Sequence, residues 1–257
     1  MIWKTAITKV GPNHIVTRGY RQEDLIGNVP FAHVVFLLLR GKLPSKEEGR
    51  MIDAILTSSI DHGVTPPTCL AARTVASAGV PLPTAVAAGL LAVGDVHGGA
   101  IENCAKLLQE NVRRVNEGGK SLEEIVSLII KKVARIPGLG HRIHTEDPRT
   151  KRLFGLAEEL KISGAHITLI KAIQNKLADA PVRAKKKALP INVDGAIAAI
   201  ISDMGFDWQL GKAFFLLGRT AGLVAHVYEE MTREKPMRRL CEIETEYDGP
   251  WERNLSI

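Results

Sequence analysis

The sequence predicts a mainly α-helical fold. Three observations carry that expectation. Apolar residues recur at helical spacing through most of the chain. Capping boxes and Pro or Gly punctuation bracket the periodic segments. Alternation of the β kind is confined to the first 20 residues.

Residues 1–20 hold two short β-like stretches around Gly11-Pro12-Asn13, read as a hairpin or an extended arm. From Pro30 onward the pattern turns helical. Phe31–Arg40 is a strongly apolar helix stopped by Gly41 and Pro44, since proline lacks the backbone donor that the next turn needs. Ser45 and Glu48 form a capping box that opens a helix through about Ser58. Pro66 and Pro67 sit near the start of the next helix, which runs to Gly79. Pro83–Gly94 is an Ala-rich helix, small enough in side chains for close packing. Helices follow over 97–115 and 121–134, the second opened by the box Ser121-x-x-Glu124. The glycine-rich loop Ile136–His141 leads into helices over 148–162, 164–178, 192–204 and 207–231, the last with Asp207 as N-cap. From Cys241 the chain turns acidic and irregular and reads as a tail packed on a surface. No internal repeat interrupts the series.

Composition narrows the class of function. At 257 residues with 45% hydrophobic and 24% charged, the chain suits a globular protein and excludes a disordered one. Aromatics at 5% argue against a base-stacking nucleic-acid platform. Lys+Arg 34 against Asp+Glu 28 leaves a surplus of 34 − 28 = 6 positive charges, suited to acidic small molecules rather than nucleic acid. Cys69, Cys104 and Cys241 are an odd, scattered set without zinc spacing, as expected of thiols in a reducing cytoplasm. The N-terminal segment carries no apolar signal core. The longest apolar runs, Val34–Leu39 and Ala85–Val93, are too short to span a membrane.

Three of the histidines stand apart by their settings: His62 in Asp61-His62-Gly63, His97 before Gly98-Gly99 at a helix start, and His141 after Pro137-Gly138-Leu139-Gly140. Adjacent glycines let the backbone approach a ligand closely. A helix N-terminus favours a neutral imidazole, which can donate a hydrogen bond to an enolate or carbonyl oxygen. Their spacing lacks metal-site logic, so no metal is expected. Asp194, where an apolar helix begins, is either an N-cap or a carboxylate base tuned by burial. Arg219 lies inside an apolar helix and needs a partner, either a protein carboxylate or a substrate carboxylate. Arg149 follows Asp147-Pro148. The basic cluster Arg183, Lys185, Lys186 and Lys187 is either a solvated surface or a phosphate contact.

Taken in order, these pieces resemble the citrate synthase family. The stretches Arg18–Leu25 and Phe31–Pro44 resemble the opening of its core. His97-Gly-Gly-Ala100, Pro137-Gly-Leu-Gly-His141-Arg142, Asp147-Pro-Arg149, Asn192-Val-Asp194 and Gly218-Arg219-Thr-Ala-Gly222 through His226 are similar to its linked blocks. Asp61-His62-Gly63 and Asn192-Val-Asp194-Gly195 are most similar to the C-terminal citryl-CoA-cleaving module of ATP-citrate lyase and to the small citryl-CoA-cleaving homologues. The chain is also shorter than the family's full-length synthases.

The resemblance implies a large helical domain over about 1–140 and 205–257 with a reduced small domain over about 141–204. It implies cleavage of citryl-CoA to acetyl-CoA and oxaloacetate, with His97, His141 and Asp194 catalytic. It implies that His62, Arg149 and Arg219 hold the oxaloacetate carboxylates, and that Arg238 or Arg239 does so across a subunit interface. Pro137, Gly138, Leu139 and Gly140 would lie along CoA, with Arg142 near its phosphates. Thr145, where a lysine is frequent, departs from the pattern at those phosphate contacts. No cofactor is implied, because the CoA thioester is itself the electron sink. The implied assembly is a cytoplasmic homodimer or higher homo-oligomer, with a citryl-CoA synthetase as pathway partner and neither nucleic acid nor membrane. The alternatives are a citrate synthase that hydrolyses the thioester and a non-catalytic CoA-binding homologue.

Overall fold

The computed structural model describes residues 2–133, 135–141, 145–178, 189–238 and 246–254. A small antiparallel sheet comes first, in the order β1 (Thr8–Gly11), β2 (His14–Thr17), β3 (Tyr20–Arg21). Gly11 faces His14 across the turn at Pro12-Asn13, and Val16 faces Arg21. The third strand is an addition to the expected hairpin. At two residues it is too short to leave an alternating pattern.

The helices are α1 (Gln22–Leu25), α2 (Phe31–Arg40), α3 (Lys46–Ser58), α4 (Pro67–Ser77), α5 (Leu82–Leu91) and α6 (Ala100–Asn116). After them come α7 (Leu122–Lys132), α8 (Pro148–Glu159), α9 (Ala165–Ala178), α10 (Val193–Asp203) and α11 (Gly211–Arg233). Both expected capping boxes form: Ser45 with Glu48 starts α3, and Ser121 with Glu124 starts α7. Asp207 caps a 3-10 turn, Trp208–Leu210, by accepting the N–H of Gln209 at 2.8 Å; α11 begins only after it. The apolar period runs through both pieces, so the sequence does not separate them.

Helix α10 is the centre of the core. Val193 and the run from Gly195 to Ser202 are buried, and α6, α8, α9 and α11 pack around them. A near-continuous apolar helix is stable only when surrounded on all sides. Each fully buried aliphatic side chain there contributes about 1.5–3 kcal/mol. A second cluster joins α4, α5 and α11 through Cys69, Ala72, Ala76, Ala85, Val86, Leu223 and Val227. The small side chains of α4 and α5 let these helices approach closely. Cys69 and Cys104 are buried free thiols, and Cys241 lies outside the described residues. In the C-terminal stretch the Tyr247 hydroxyl donates to the Pro250 carbonyl at 2.9 Å, and Tyr247 and Trp251 remain exposed in the single chain. Among the described residues no helix is long and apolar enough to cross a membrane.

Candidate active site

His97 sits on the tight loop between α5 and α6. Its N–H donates to the Gly94 carbonyl and the Gly94 N–H donates back, both at 2.9 Å, while the Gly99 N–H shares the Gly94 carbonyl at 3.0 Å. The helix expected to begin at His97 begins at Ala100 instead. The cause of a neutral imidazole changes accordingly. Burial first, then the neighbouring Arg219 and His62, hold the His97 pKa below the ordinary histidine value.

Thr68, in the first turn of α4, has no solvent exposure. Its Oγ1 lies 3.1 Å from Nε2 of His97 and 3.5 Å from Nη1 of Arg219. A guanidinium can only donate, so the Thr68 oxygen accepts from Arg219. Its hydroxyl proton and second lone pair allow it to pair with Nε2 of His97 in either imidazole tautomer. Sequence reasoning missed Thr68. Its one signal is a polar residue on the buried face of an otherwise apolar helix, a common pattern that points nowhere by itself.

Arg219 lies in the middle of α11 and is 4% exposed. Its Nε donates to the Ser59 carbonyl at 3.0 Å, and its guanidinium lies 4.8 Å from the Phe215 ring centroid. Carbonyl, hydroxyl and ring are all neutral partners. Burial pushes its pKa down, while the Asp61 and Asp194 carboxylates act in the opposite sense. A cation held this way retains capacity for a ligand carboxylate.

Asp147 joins α8 to α10. It is 1% exposed. Its Oδ1 accepts from the Arg149 N–H and Nε, both at 3.0 Å, and its Oδ2 accepts from Arg149 Nη2 at 2.8 Å and from the Val193 N–H at 3.2 Å. Burial opposes its charge, but the Arg149 hydrogen bonds and charge win and hold its pKa below the usual carboxylate range.

The N-cap of α10 is Asn192, whose side-chain oxygen accepts from the Gly195 N–H at 3.1 Å. Asp194 is therefore not the cap. Protein packed around its carboxyl pushes its pKa up to about 6, against the opposing charges of Arg149 and Arg219. The buried Cys104 thiol is raised by burial and by the same Asp194 charge.

The Pro137–Gly140 loop runs antiparallel to the start of α10. Leu139 bridges Ile191, the Gly140 N–H donates to the Pro190 carbonyl at 2.7 Å, and the Asn192 N–H donates to the Gly138 carbonyl at 3.0 Å. Gly138 has φ +82°, and a Cβ there would lie 2.6 Å from Cα of Gly195. Only glycine satisfies both constraints. The loop delivers His141 to His62, with ring centroids 6.1 Å apart in an edge arrangement.

The structure thus brings His62 to His141, His97 to Thr68 and Arg219, and Asp194 within reach of the Arg149 and Arg219 charges. Arg238 is instead engaged within its own chain by Glu230 and Glu234. Arg142, Arg239 and the cluster at 183–187 lie outside the described residues.

The helical core agrees with the fold of known proteins. Residues 45–240 match the family described as citrate synthase, C-terminal domain, and the chain belongs to that family. Citryl-CoA lyase from Hydrogenobacter thermophilus superposes with a TM-score of 0.90 at 48% identity, covering 99% of this chain and 98% of that one. Citrate synthase from Thermoplasma acidophilum superposes with a TM-score of 0.68 at 26% identity, covering 89% and 59%. ATP-citrate synthase beta chain protein 1 of Oryza sativa subsp. japonica is 27% identical over 253 residues, 93% of this chain and 38% of its own length. The chain spans less than two fifths of that relative.

Proposed function

We propose that the protein is a citryl-CoA lyase, cleaving citryl-CoA to acetyl-CoA and oxaloacetate. The observation that carries this reading is the match in fold and sequence along 99% of this chain and 98% of a citryl-CoA lyase, and the buried Asp194 carboxyl at the start of α10 is consistent with it.

The reaction is a retro-Claisen step. His141 takes the proton of the tertiary hydroxyl at C3. The O–H electron pair becomes the oxaloacetate carbonyl as the C2–C3 bond breaks. The C–C electrons move onto the thioester, whose oxygen accepts a hydrogen bond from neutral His97. Asp194, protonated at the start, then gives its proton to the methylene carbon and makes the acetyl methyl group. His62, Arg149 and Arg219 hold the oxaloacetate carboxylates. The Pro137–Gly140 loop lines the CoA thioester arm, and Arg142 is a candidate partner of its phosphates. The thioester accepts the electron pair, so the chemistry calls for neither a metal nor a redox cofactor.

The working unit is a cytoplasmic homodimer. Leu217, Val224, Tyr228 and Met231 recur at helical spacing on α11 and are all exposed in the single chain, as is Leu91 at the end of α5. Such a stripe fits the isologous contact of a second copy. Arg239 is then the candidate to reach the partner's substrate, because Arg238 would first have to leave Glu230 and Glu234 of its own chain. A citryl-CoA synthetase would supply the substrate.

Incubation with acetyl-CoA and oxaloacetate tests the reading against its rivals. A lyase releases no free CoA at a catalytic rate. Catalytic release identifies a citrate synthase, and tight CoA binding without turnover of any substrate identifies a non-catalytic homologue.

A further inference from the structure

We infer that His226 is a positioning residue that holds the His62 turn in place through Asp61. The inference rests on the proposed role of His62 at the oxaloacetate end of the substrate.

One face of α11 carries Gly218, Arg219, Gly222 and His226 at helical spacing. That face presses on the backbone leading to His62. A Cβ at Gly218 would lie 2.7 Å from the Leu56 carbonyl oxygen, and a Cβ at Gly222 would overlap the Ile60 carbonyl oxygen. Arg219 donates to the Ser59 carbonyl at 3.0 Å. His226 completes the series with Nε2 at 2.9 Å from Oδ1 of Asp61. The other Asp61 oxygen accepts the Gly63 N–H at 2.9 Å. Asp61 therefore spends one oxygen on closing the turn around His62 and the other on anchoring it to α11.

The ring of His226 is itself fixed from behind. Its Nδ1 lies 3.4 Å from Nη1 of Arg73. Arginine can only donate, so Nδ1 accepts and Nε2 carries the proton given to Asp61. Arg73 in turn binds Glu230, 2.7 Å away and 2% exposed, and Arg238 grips the same carboxylate by two bonds of 2.7 Å. Two arginines on one buried carboxylate leave little freedom at Arg73, and hence at His226. His62 itself is exposed, and the turn that carries it is held at Asp61.

A side chain that aims another works through geometry, and small displacements of a binding group are costly. His226→Met keeps the volume and removes the hydrogen bonds. His226→Gln keeps both, since its amide nitrogen can donate to Asp61 and its oxygen can accept from Arg73. Oxaloacetate and CoA affinities are measured by calorimetry on each purified variant, with thermal melting to establish folding. The expected result is an oxaloacetate affinity about tenfold weaker in the methionine variant, an unchanged CoA affinity, and recovery with glutamine. Should the methionine variant not fold, His226→Asn, with the same groups on a shorter stem, takes its place. Wild-type oxaloacetate affinity in a folded variant, equal loss of both affinities, or no recovery with glutamine overturns the tether. His62→Ala separates the two levels. If it leaves oxaloacetate affinity intact, the role of His62 fails and the tether's function with it; if it weakens that affinity while the His226 variants do not, only the tether fails.

Discussion

The hydroxyl of Thr68 stands 3.1 Å from Nε2 of His97 and holds the ring by a hydrogen bond. Arg219 donates to the same hydroxyl at 3.5 Å, so the His97 ring is tied through Thr68 to the buried guanidinium. Thr68→Val keeps the shape and removes the hydroxyl. It is expected to lower kcat for citryl-CoA cleavage by about tenfold or more, the worth of one buried hydrogen bond to a catalytic group. Thr68→Ser should retain most of the rate. Steady-state kinetics on the pair checks this, and a valine variant at the wild-type rate would contradict it.

Asp194 gives the protein a specific pH signature. Its pKa in the fold, about 6, lies above the ordinary value of 3.8. As pH rises, the unfolded chain loses this proton first, so Asp194 destabilises the fold increasingly between those two values and by a constant amount above them. Asp194→Asn should remove that loss and raise stability at pH 7 by about 1–2 kcal/mol, a figure reduced for the partial exposure of the residue. The same variant should lower kcat by about 10²–10⁴-fold. In the wild type, kcat/KM for cleavage should fall above about pH 6, where the protonated acid is lost. Denaturant titrations and a pH–rate profile measure both effects.

Asp147 works with the opposite sign. Its pKa is depressed in the fold, so its stabilisation is present above the ordinary carboxylate value and is lost as pH falls through the folded one. Asp147→Asn breaks a buried pair with Arg149 and weakens the link to Val193. It should cost about 3 kcal/mol at pH 7, with the difference from wild type closing in acid. The variant should also weaken oxaloacetate binding, because Arg149 loses its aim. Urea denaturation at several pH values checks the first point and calorimetry the second.

Gly138→Ala should be severe for a backbone reason. The position has φ +82°, and the added methyl meets Cα of Gly195 at 2.6 Å. Strain of this kind costs about 1–3 kcal/mol before the clash is counted. It would also part the His141 loop from the start of α10. Lower thermal stability together with lost cleavage is the expected outcome of a melt and an assay on the same preparation.

Much of this was legible in the sequence. Ser45 with Glu48 and Ser121 with Glu124 marked their helices because a capping box satisfies backbone donors locally. His62, His97, His141, Asp194 and Arg219 stand out because each departs from its surroundings, a charge in an apolar helix or a histidine among glycines, whereas Arg149 stands out only through the Asp147-Pro-Arg149 block. Asn192 and not Asp194 proved to be the cap of α10, which both residue types could serve. Thr68 and His226 could not be read. Their roles depend on partners far along the chain, Arg219 and Asp61, and neither spacing nor composition records a contact made by tertiary packing. The start of α6 at Ala100 is illegible for a related reason: the Gly94–His97 bridge that holds His97 out of the helix is a backbone contact that side-chain identities do not record.

The most direct test of the central claim is product analysis after incubating the purified protein with citryl-CoA alone. The expected result is oxaloacetate and acetyl-CoA in equal amounts, formed catalytically and without free CoA. Citrate with free CoA, or no turnover, would contradict it.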